Sequence, residues 1–217
     1  MHTAAVIFDL DGTLLDTLED IAASANEVLE SLGFARHPAD DFKAFIGAGV
    51  DVLFERALPV DAAADRAMIS EAADRFRVFY AEQWHVNSRP YDGVAALLDG
   101  LRQRQVPCAV LTNKPHEFAG QCVSRLLPQW HFEIVLGLDE SRAAKPDPGG
   151  ALAIARTLGV APQRTKFVGD SGIDMQTARA AGMAGVGAAW GFRPENELIE
   201  NGANWLIRTP QQLLELL

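Results

Sequence analysis

The stretch AAVIFDLDGTLLDT (residues 4–17) joins an apolar run directly to two carboxylates. Residues 4–8 are small, branched or aromatic, which is typical of a buried β-strand. Asp9 and Asp11 follow at once, and Gly12 then permits a tight turn. A buried strand that ends in carboxylates predicts that its carboxyl end lies at a site with a use for negative charge.

Further apolar runs have the composition of strands, and segments with helical spacing lie between most of them. The strand candidates are residues 106–113, 132–137, 164–170 and 185–190, with 204–208 as a weaker one. The helix candidates among them are residues 93–105, 115–127, 148–160 and 174–183. This alternation predicts an α/β fold with a doubly wound, three-layer (Rossmann-like) parallel sheet. Ligands of such sheets bind outside the carboxyl ends of the strands.

One long interval breaks the alternation. Residues 17–90 carry helical patterns, above all 17–34 and 61–84, and no convincing strand. An insertion of helices just after the first strand predicts a separate cap. The predicted domains are an α/β core of residues 1–16 and 91–217 and a helical cap of residues 17–90, with linkers near 16–18 and 87–93.

Charge and composition restrict the partners. The net charge of −10 disfavours nucleic acid and anionic lipid surfaces, and no basic run offsets it. The sequence contains no run of about 18 apolar residues, so a membrane span is not predicted. The first residues do not resemble a signal peptide. Cys108 and Cys122 are too few for a disulfide framework. We therefore expect a cytoplasmic monomer or homodimer that binds neither nucleic acid nor membranes.

Polar residues follow the other predicted strands as well. Thr112 and Asn113 end the second strand, and Lys145 lies in the segment after the third. Asp170 ends the fourth strand, with Asp174 about one helical turn later. Because the carboxyl ends of parallel strands meet at one edge of a sheet, we expect all of these residues to share one site.

The order of these residues resembles a known family. DLDGT (9–13), LTN (111–113), KP (145–146) and GDSGID (169–174) are similar to the four motifs of the haloacid dehalogenase superfamily. The helical insert after the first motif resembles the class of that superfamily with a helical cap. Within that class, FIGAGVDVLFERAL (45–58) and LTNKP look most like phosphoglycolate phosphatases. The resemblance covers essentially the whole chain and implies hydrolysis of a small phosphorylated metabolite, 2-phosphoglycolate.

The carboxylates suit that chemistry. A carboxylate nucleophile and a phosphate monoester repel each other, and a bridging divalent cation removes the obstacle. Oxygen ligands favour Mg²⁺. Asp9 is predicted to bind the metal and to attack phosphorus, which gives an aspartyl-phosphate. Asp170 is predicted as a second ligand and Asp174 as the holder of a metal-bound water, and the resemblance implies the carbonyl of Asp11 as a third ligand.

The other residues receive supporting roles. Asp11 is predicted to protonate the leaving oxygen and then to activate the attacking water. The Gly12 N–H, the Thr112 hydroxyl and the Asn113 N–H are predicted to bind phosphoryl oxygens. Lys145 is predicted to balance the charge of the nucleophile and of the transferred group.

Substrate selection is expected to come from the insert. Gly47 and Gly49 are predicted to expose backbone N–H groups to a substrate carboxylate, and Arg56 to add a cationic fork. The alternative is that the glycines end a cap helix and that Arg56 pairs with a neighbouring acid.

Structural alternatives exist for the motifs too. Asp9 and Asp11 could form a solvated turn, Asp170 and Asp174 could cap the next helix, and Lys145 could be an ordinary exposed lysine. Thr112 and Asn113 could be turn formers before Pro115. A phosphosugar mutase, a dehalogenase and a non-catalytic sensor remain alternative functions. The polar, loop-like segment 191–202 receives no function from its sequence.

Overall fold

The structure is a computed structural model that describes residues 3–217; Met1 and His2 of the predicted core lie outside it. Within that range the strands are β1 (Ala5–Phe8), β2 (Leu15–Asp16), β3 (Arg89–Pro90), β4 (Cys108–Pro115), β5 (Ile134–Leu138), β6 (Thr165–Gly169), β7 (Ala184–Ala188) and β8 (Trp205–Ile207). Six of them form a parallel sheet in the order β5-β4-β1-β6-β7-β8. Every strand expected for the sheet is present, including the weaker candidate that became β8.

The first strand lies near the middle of this sheet. All four residues of β1 are buried, and β1 pairs with β4 on one side and β6 on the other. The chain order reverses direction across the sheet at β1, which creates a crevice beyond the carboxyl ends of its strands. Asp9, the residue after β1, therefore emerges at that crevice.

Helices cover both faces of the sheet. The helices of the described chain are α1 (Leu18–Ser31), α2 (Phe42–Phe45), α3 (Val50–Ala57), α4 (Val60–Ala63), α5 (Arg66–Gln83), α6 (Val94–Gln103), α7 (His116–Leu126), α8 (Gly149–Thr157), α9 (Gly172–Ala180) and α10 (Glu195–Glu200). Because side chains alternate along a strand, Val6 and Phe8 pack with α6 and α7, while Ile7 packs with α8 and α9. This confirms the predicted three-layer α/β architecture.

The helical insert begins and ends at a short antiparallel ribbon of β2 and β3, in which Asp16 faces Arg89. The sequence predicts no strand in residues 17–90. This prediction is wrong for the last two of them, which form β3. The helical pattern over 61–84 is also not one helix. Asp65 interrupts it, because its Oδ1 accepts a hydrogen bond from Ala67 N at 2.9 Å and starts α5 as a new helix. The division into two domains stays a prediction.

One buried carboxylate ties the two ends of the insert together. Asp20, in the first turn of α1, accepts hydrogen bonds from the backbone N–H groups of Asn87 (2.9 and 3.0 Å) and Ser88 (2.8 Å). The Asn87 Nδ2 (3.0 Å) and the Ser88 Oγ (2.7 Å) donate to it as well. Four donor groups therefore satisfy one carboxylate, and we refer to these three residues as the Asp20 cluster.

Two expectations about the rest of the chain can be compared with the structure. None of the helices between residues 3 and 217 is both long and apolar enough to cross a membrane. Cys108 and Cys122 are buried free thiols, in agreement with the view that they do not form a disulfide framework. Burial raises the pKa of Cys108 to about 12 and that of Cys122 to about 11, so neither sulfur is a reactive thiolate near neutral pH.

Candidate active site

Three buried carboxylates meet at the carboxyl edge of the sheet. One oxygen each of Asp9, Asp170 and Asp174 lies within 4.8 Å of the others. Asp9 follows β1 and Asp170 follows the adjacent β6, while Asp174 lies in the first turn of α9. The pairing of β1 with β6 thus brings together residues that lie far apart in the sequence. We call these three residues the acidic cluster.

A single ammonium group lies against the acidic cluster. Lys145 Nζ donates a hydrogen bond to Asp174 Oδ1 at 2.7 Å. It also lies 2.8 Å from Asp9 Oδ1, an ion pair without hydrogen-bond geometry. Burial alone would lower the pKa of Lys145, but Asp174 and Asp9 outweigh burial and raise it, so the amine is charged. With its side chain only 3% exposed, Lys145 is not the ordinary surface lysine of the structural alternative.

The acidic cluster has too little positive charge for three ionised carboxylates. Burial raises the pKa of Asp9 to about 7; Lys145 opposes that rise and Asp174 adds to it. Burial also raises the pKa of Asp170 well above its usual range, and the two other carboxylates contribute. A divalent cation would compensate this charge, and an all-oxygen donor set is what hard cations bind. The residues therefore fit a metal ion.

The turn after β1 is built around Asp170. Its Oδ2 accepts a hydrogen bond from Phe192 N at 2.7 Å, and its Oδ1 accepts one from Thr13 Oγ1 at 3.3 Å. Gly12 has a φ of +81°, and a Cβ at this position would overlap the Asp170 carboxylate. The Gly12 N–H donates to Leu15 O at 2.9 Å. This corrects the predicted phosphate contact of the Gly12 N–H, because the turn itself uses that donor.

The alternative that Asp170 and Asp174 cap the next helix is correct for Asp174 only. Asp174 Oδ2 accepts hydrogen bonds from Ser171 N at 3.1 Å and Ser171 Oγ at 2.7 Å, at the start of α9. Its other oxygen faces Lys145, so Asp174 both caps the helix and belongs to the acidic cluster. Asp170 caps nothing, since its partners are Phe192 and Thr13.

A second buried lysine, which the sequence did not single out, holds Asp11. Lys114 Nζ lies 3.0 and 3.2 Å from the two carboxylate oxygens of Asp11 and donates to Tyr80 Oη of α5 at 2.6 Å. Thr17 Oγ1 donates to Asp11 Oδ1 at 2.8 Å. Burial alone would lower the pKa of Lys114, but Asp11 and Tyr80 raise it. The only sequence feature that could have pointed to this role of Lys114 is its position directly after Asn113, at the end of the predicted strand.

Thr112 and Asn113 lie inside β4, so they are not the turn formers of the alternative. Thr112 Oγ1 accepts a hydrogen bond from Lys114 N at 3.2 Å, which leaves its hydroxyl hydrogen to donate elsewhere. The Asn113 side chain accepts from Lys145 N at 2.8 Å and donates to Lys145 O at 3.1 Å. Its Nδ2 also reaches Gly47 O of the insert at 3.0 Å. Asn113 thus fixes the Lys145 segment and contacts the insert.

An open cleft separates the sheet edge from the insert. The sheet edge contributes, among others, Asp9, Asp11, Thr112, Asn113, Lys114 and Asp170. The insert contributes Gly47, Gly49 and Tyr80, and the loop after β7 contributes Phe192 and Arg193. The predicted catalytic residues and the predicted glycine turn therefore border the same space, although Lys145 lies beneath it.

Arg56 does not line this cleft. Its Nη1 donates to the carbonyl oxygens of Ala44 (2.9 Å) and Phe45 (3.3 Å) at the end of α2. Its partners are therefore backbone carbonyls rather than the neighbouring acid of the alternative. Burial and the nearby Arg193 lower the pKa of Arg56.

The segment 191–202 contributes to the site instead. Glu195–Glu200 form α10, so the segment is not entirely a loop. Phe192 N binds Asp170, and Arg193 Nη2 donates to Ala44 O at 3.1 Å and Ile46 O at 2.9 Å. The segment carries no motif, and the only signal for its role was that it follows a strand end.

Comparisons with known proteins agree on one family. The sequence profile of the haloacid dehalogenase-like hydrolases matches residues 6–188. A phosphoglycolate phosphatase of Pseudomonas putida is 38% identical over 86% of this chain and 70% of its own. One of Chromobacterium violaceum is 33% identical over 100% of this chain and 97% of its own.

A solved structure from Lactobacillus delbrueckii subsp. bulgaricus, provisionally assigned as a phosphoglycolate phosphatase, superposes with a TM-score of 0.91. It is 30% identical and the match covers 100% of this chain and 98% of that one. The sheet order, the four motifs at its carboxyl edge and these matches lead to one conclusion. The chain belongs to the haloacid dehalogenase-like hydrolase family.

Proposed function

We propose that the protein is a Mg²⁺-dependent phosphomonoester hydrolase that acts on 2-phosphoglycolate through an aspartyl-phosphate on Asp9. The observation that carries the proposal is the acidic cluster, which meets Lys145 beneath an open cleft at the carboxyl edge of the sheet. The names of the relatives support the choice of substrate.

Asp9, Asp170 and the backbone carbonyl of Asp11 would hold Mg²⁺, with Asp174 bound through a water. The bound cation supplies positive charge that reduces the repulsion between the carboxylate of Asp9 and an anionic ester. This assignment uses oxygen donors only, as Mg²⁺ prefers.

In the first step the carboxylate of Asp9 attacks phosphorus. The new bond joins an Asp9 oxygen to phosphorus, the ester P–O bond breaks, and Asp11 gives its proton to the leaving oxygen. Lys145 orients Asp9 and offsets charge on the transferred group, while the Thr112 hydroxyl donates to a phosphoryl oxygen. Lys114 and Thr17 hold Asp11 at the cleft through the contacts given above.

In the second step Asp11 takes a proton from water, and that water attacks phosphorus. The bond between Asp9 and phosphorus breaks, which releases inorganic phosphate and restores the carboxylate of Asp9 and the protonated form of Asp11. One residue serves as acid and then as base because each step reverses the proton demand of the other.

The helical insert supplies selection and excludes bulk water in this proposal. We propose the division into a core of residues 1–16 and 91–217 and a cap of residues 17–90, joined at the β2–β3 ribbon. Gly47 and Gly49 border the cleft opposite the acidic cluster, where a substrate carboxylate would meet backbone N–H groups.

The test is phosphate release from a panel of small phosphoesters, with Mg²⁺ and with excess EDTA. We expect 2-phosphoglycolate to have the highest kcat/KM and EDTA to stop release. Phosphosugars are also assayed for isomerisation, which separates a hydrolase from a mutase. Release that continues unchanged in EDTA would contradict the metal, and isomerisation without release would contradict hydrolysis.

A further inference from the structure

The loop after β7 connects the acidic cluster to the insert. Phe192 N donates to Asp170 Oδ2 at 2.7 Å, and Trp190 Nε1 donates to Thr13 O at 3.0 Å. These bonds fix the backbone on both sides of Gly191, where a Cβ would overlap Asp170. Arg193 directly follows Phe192, so its backbone is held in place beside the acidic cluster.

The guanidinium of Arg193 is only partly used by the protein. Its Nη2 donates to Ala44 O at 3.1 Å and Ile46 O at 2.9 Å, which aligns it along the turn after α2. Its Nη1 makes no hydrogen bond to any residue from 3 to 217. The side chain is 15% exposed and borders the cleft. An immobilised cation thus keeps a free donor beside the space where a substrate would lie.

The positive charge of Arg193 is only loosely paired with an acid. Arg56 Nη1 donates to the same Ala44 oxygen, so two guanidinium groups converge on one carbonyl. The acid that approaches Arg193 is Glu197, whose Oε1 lies 3.8 Å from Nε and already accepts from Gly172 N at 2.9 Å. Glu55 and Glu197 both act electrostatically on Arg56, so it is the free, charged donor of Arg193 that favours an anion nearby.

We propose that Arg193 is the specificity-determining residue of the site and binds a second anionic group, a carboxylate, on the substrate. This inference rests on the proposed function and narrows it to small phosphorylated carboxylic acids. The acidic cluster with its metal takes the phosphoryl end, and the free donor of Arg193 takes the carboxylate end of one short molecule.

The test compares two esters of similar size. 2-Phosphoglycolate carries a carboxylate and ethyl phosphate does not. The kcat/KM ratio of the first ester over the second is measured for wild type, Arg193→Gln, Arg193→Lys and Arg56→Gln. Arg56→Gln is the matched control, because Arg56 binds the same Ala44 carbonyl from outside the cleft.

We expect Arg193→Gln to lower the ratio about tenfold or more, mainly through KM, because a charge-assisted hydrogen bond is lost. Arg193→Lys keeps the charge and is expected to restore part of the ratio, while Arg56→Gln leaves the ratio as in wild type. An equal loss for both esters would mean that Arg193 only supports the turn after α2, and no loss would mean that it does not bind substrate. Either result overturns the inference.

A second measurement keeps the inference separate from the proposed function. Calorimetry compares the binding of phosphonoacetate with that of ethylphosphonate, neither of which can be hydrolysed as an ester. We expect wild type to prefer phosphonoacetate and Arg193→Gln to lose that preference. If neither ester is hydrolysed, the proposed function fails, yet this preference still decides the role of Arg193; its absence in wild type overturns the inference.

Discussion

Two groups of buried acids in this molecule differ in what surrounds them. In the Asp20 cluster, four donor groups of two residues satisfy one carboxylate. In the acidic cluster, one oxygen of each of three carboxylates lies within 4.8 Å of the others, and the ammonium of Lys145 pairs with two of them, Asp9 and Asp174. The first arrangement is complete within the protein, while the second would be completed by another cation.

Burial alone does not separate the two groups. Asp20 is 1% exposed, while Asp9 is 6% and Asp170 is 3% exposed. A buried carboxylate with a full set of donors stabilises the fold, whereas one crowded by other carboxylates costs stability. The balance of donors and negative charges is therefore what distinguishes a structural acid from a candidate reacting acid.

The largest expected effect is that of Asp9→Asn. We expect phosphate release to fall roughly 10³-fold or more, since the nucleophile is lost. The melting temperature is expected to stay the same or rise, because a neutral amide relieves repulsion among the carboxylates. Phosphate assays and thermal melts check both. Wild-type turnover in this variant would remove Asp9 as the nucleophile.

Removal of Lys114 is expected to have the next largest effect. Lys114→Met removes the contact that positions Asp11 at the cleft, so kcat/KM for ethyl phosphate should fall about 100-fold. The loss should be smaller for p-nitrophenyl phosphate, whose leaving group needs little protonation. Lys166→Met is the control, since Lys166 packs on Trp205 instead. Equal losses for both esters would indicate a structural role for Lys114 only.

Asp20→Ala is expected to lower stability more than activity, which is the opposite of the effect of Asp9→Asn. It removes the acceptor of four donor groups, of which the two of Ser88 are buried, so we expect a loss of about 3 kcal/mol in the free energy of unfolding. Urea titration measures this loss. The folded variant should lose far less activity than Asp9→Asn. A stability equal to that of wild type would show that the donors of Asn87 and Ser88 find other partners.

The smallest expected effect belongs to Tyr80→Phe. The change removes one acceptor of Lys114 but keeps the ring that stacks on Phe76 and contacts Phe118. We expect about 1 kcal/mol less stability and a loss of a few-fold in kcat/KM. A loss as large as that of Lys114→Met would mean that Tyr80, rather than Lys114, controls Asp11.

The acidic cluster could be predicted from the sequence because it follows from one rule. Asp9 and Asp170 each end an apolar run, and parallel strands bring such ends to one edge. Period-two alternation likewise explains why β1 packs helices on both faces. The three-layer architecture needed no information beyond the order of apolar runs and helical spacing.

The rest depends on contacts that no local pattern encodes. Lys114 meets Tyr80 from the insert, and Asp20 meets donors 67 and 68 residues away. Arg193 lies in a segment without periodicity. The hydrogen bond from Gly12 N–H to Leu15 O depends on how the turn closes. The sequence does not show that geometry, so it does not exclude a phosphate contact for this N–H. Tertiary packing and turn closure decide these contacts.

The most direct test of the central claim is calorimetric titration of the substrate-free protein with Mg²⁺. Wild type, Asp170→Asn and Asp20→Asn are compared at a temperature at which all three are folded by circular dichroism. Our account predicts one Mg²⁺ site in wild type and in Asp20→Asn, and none in Asp170→Asn. Equal Mg²⁺ binding by Asp170→Asn and wild type would contradict it.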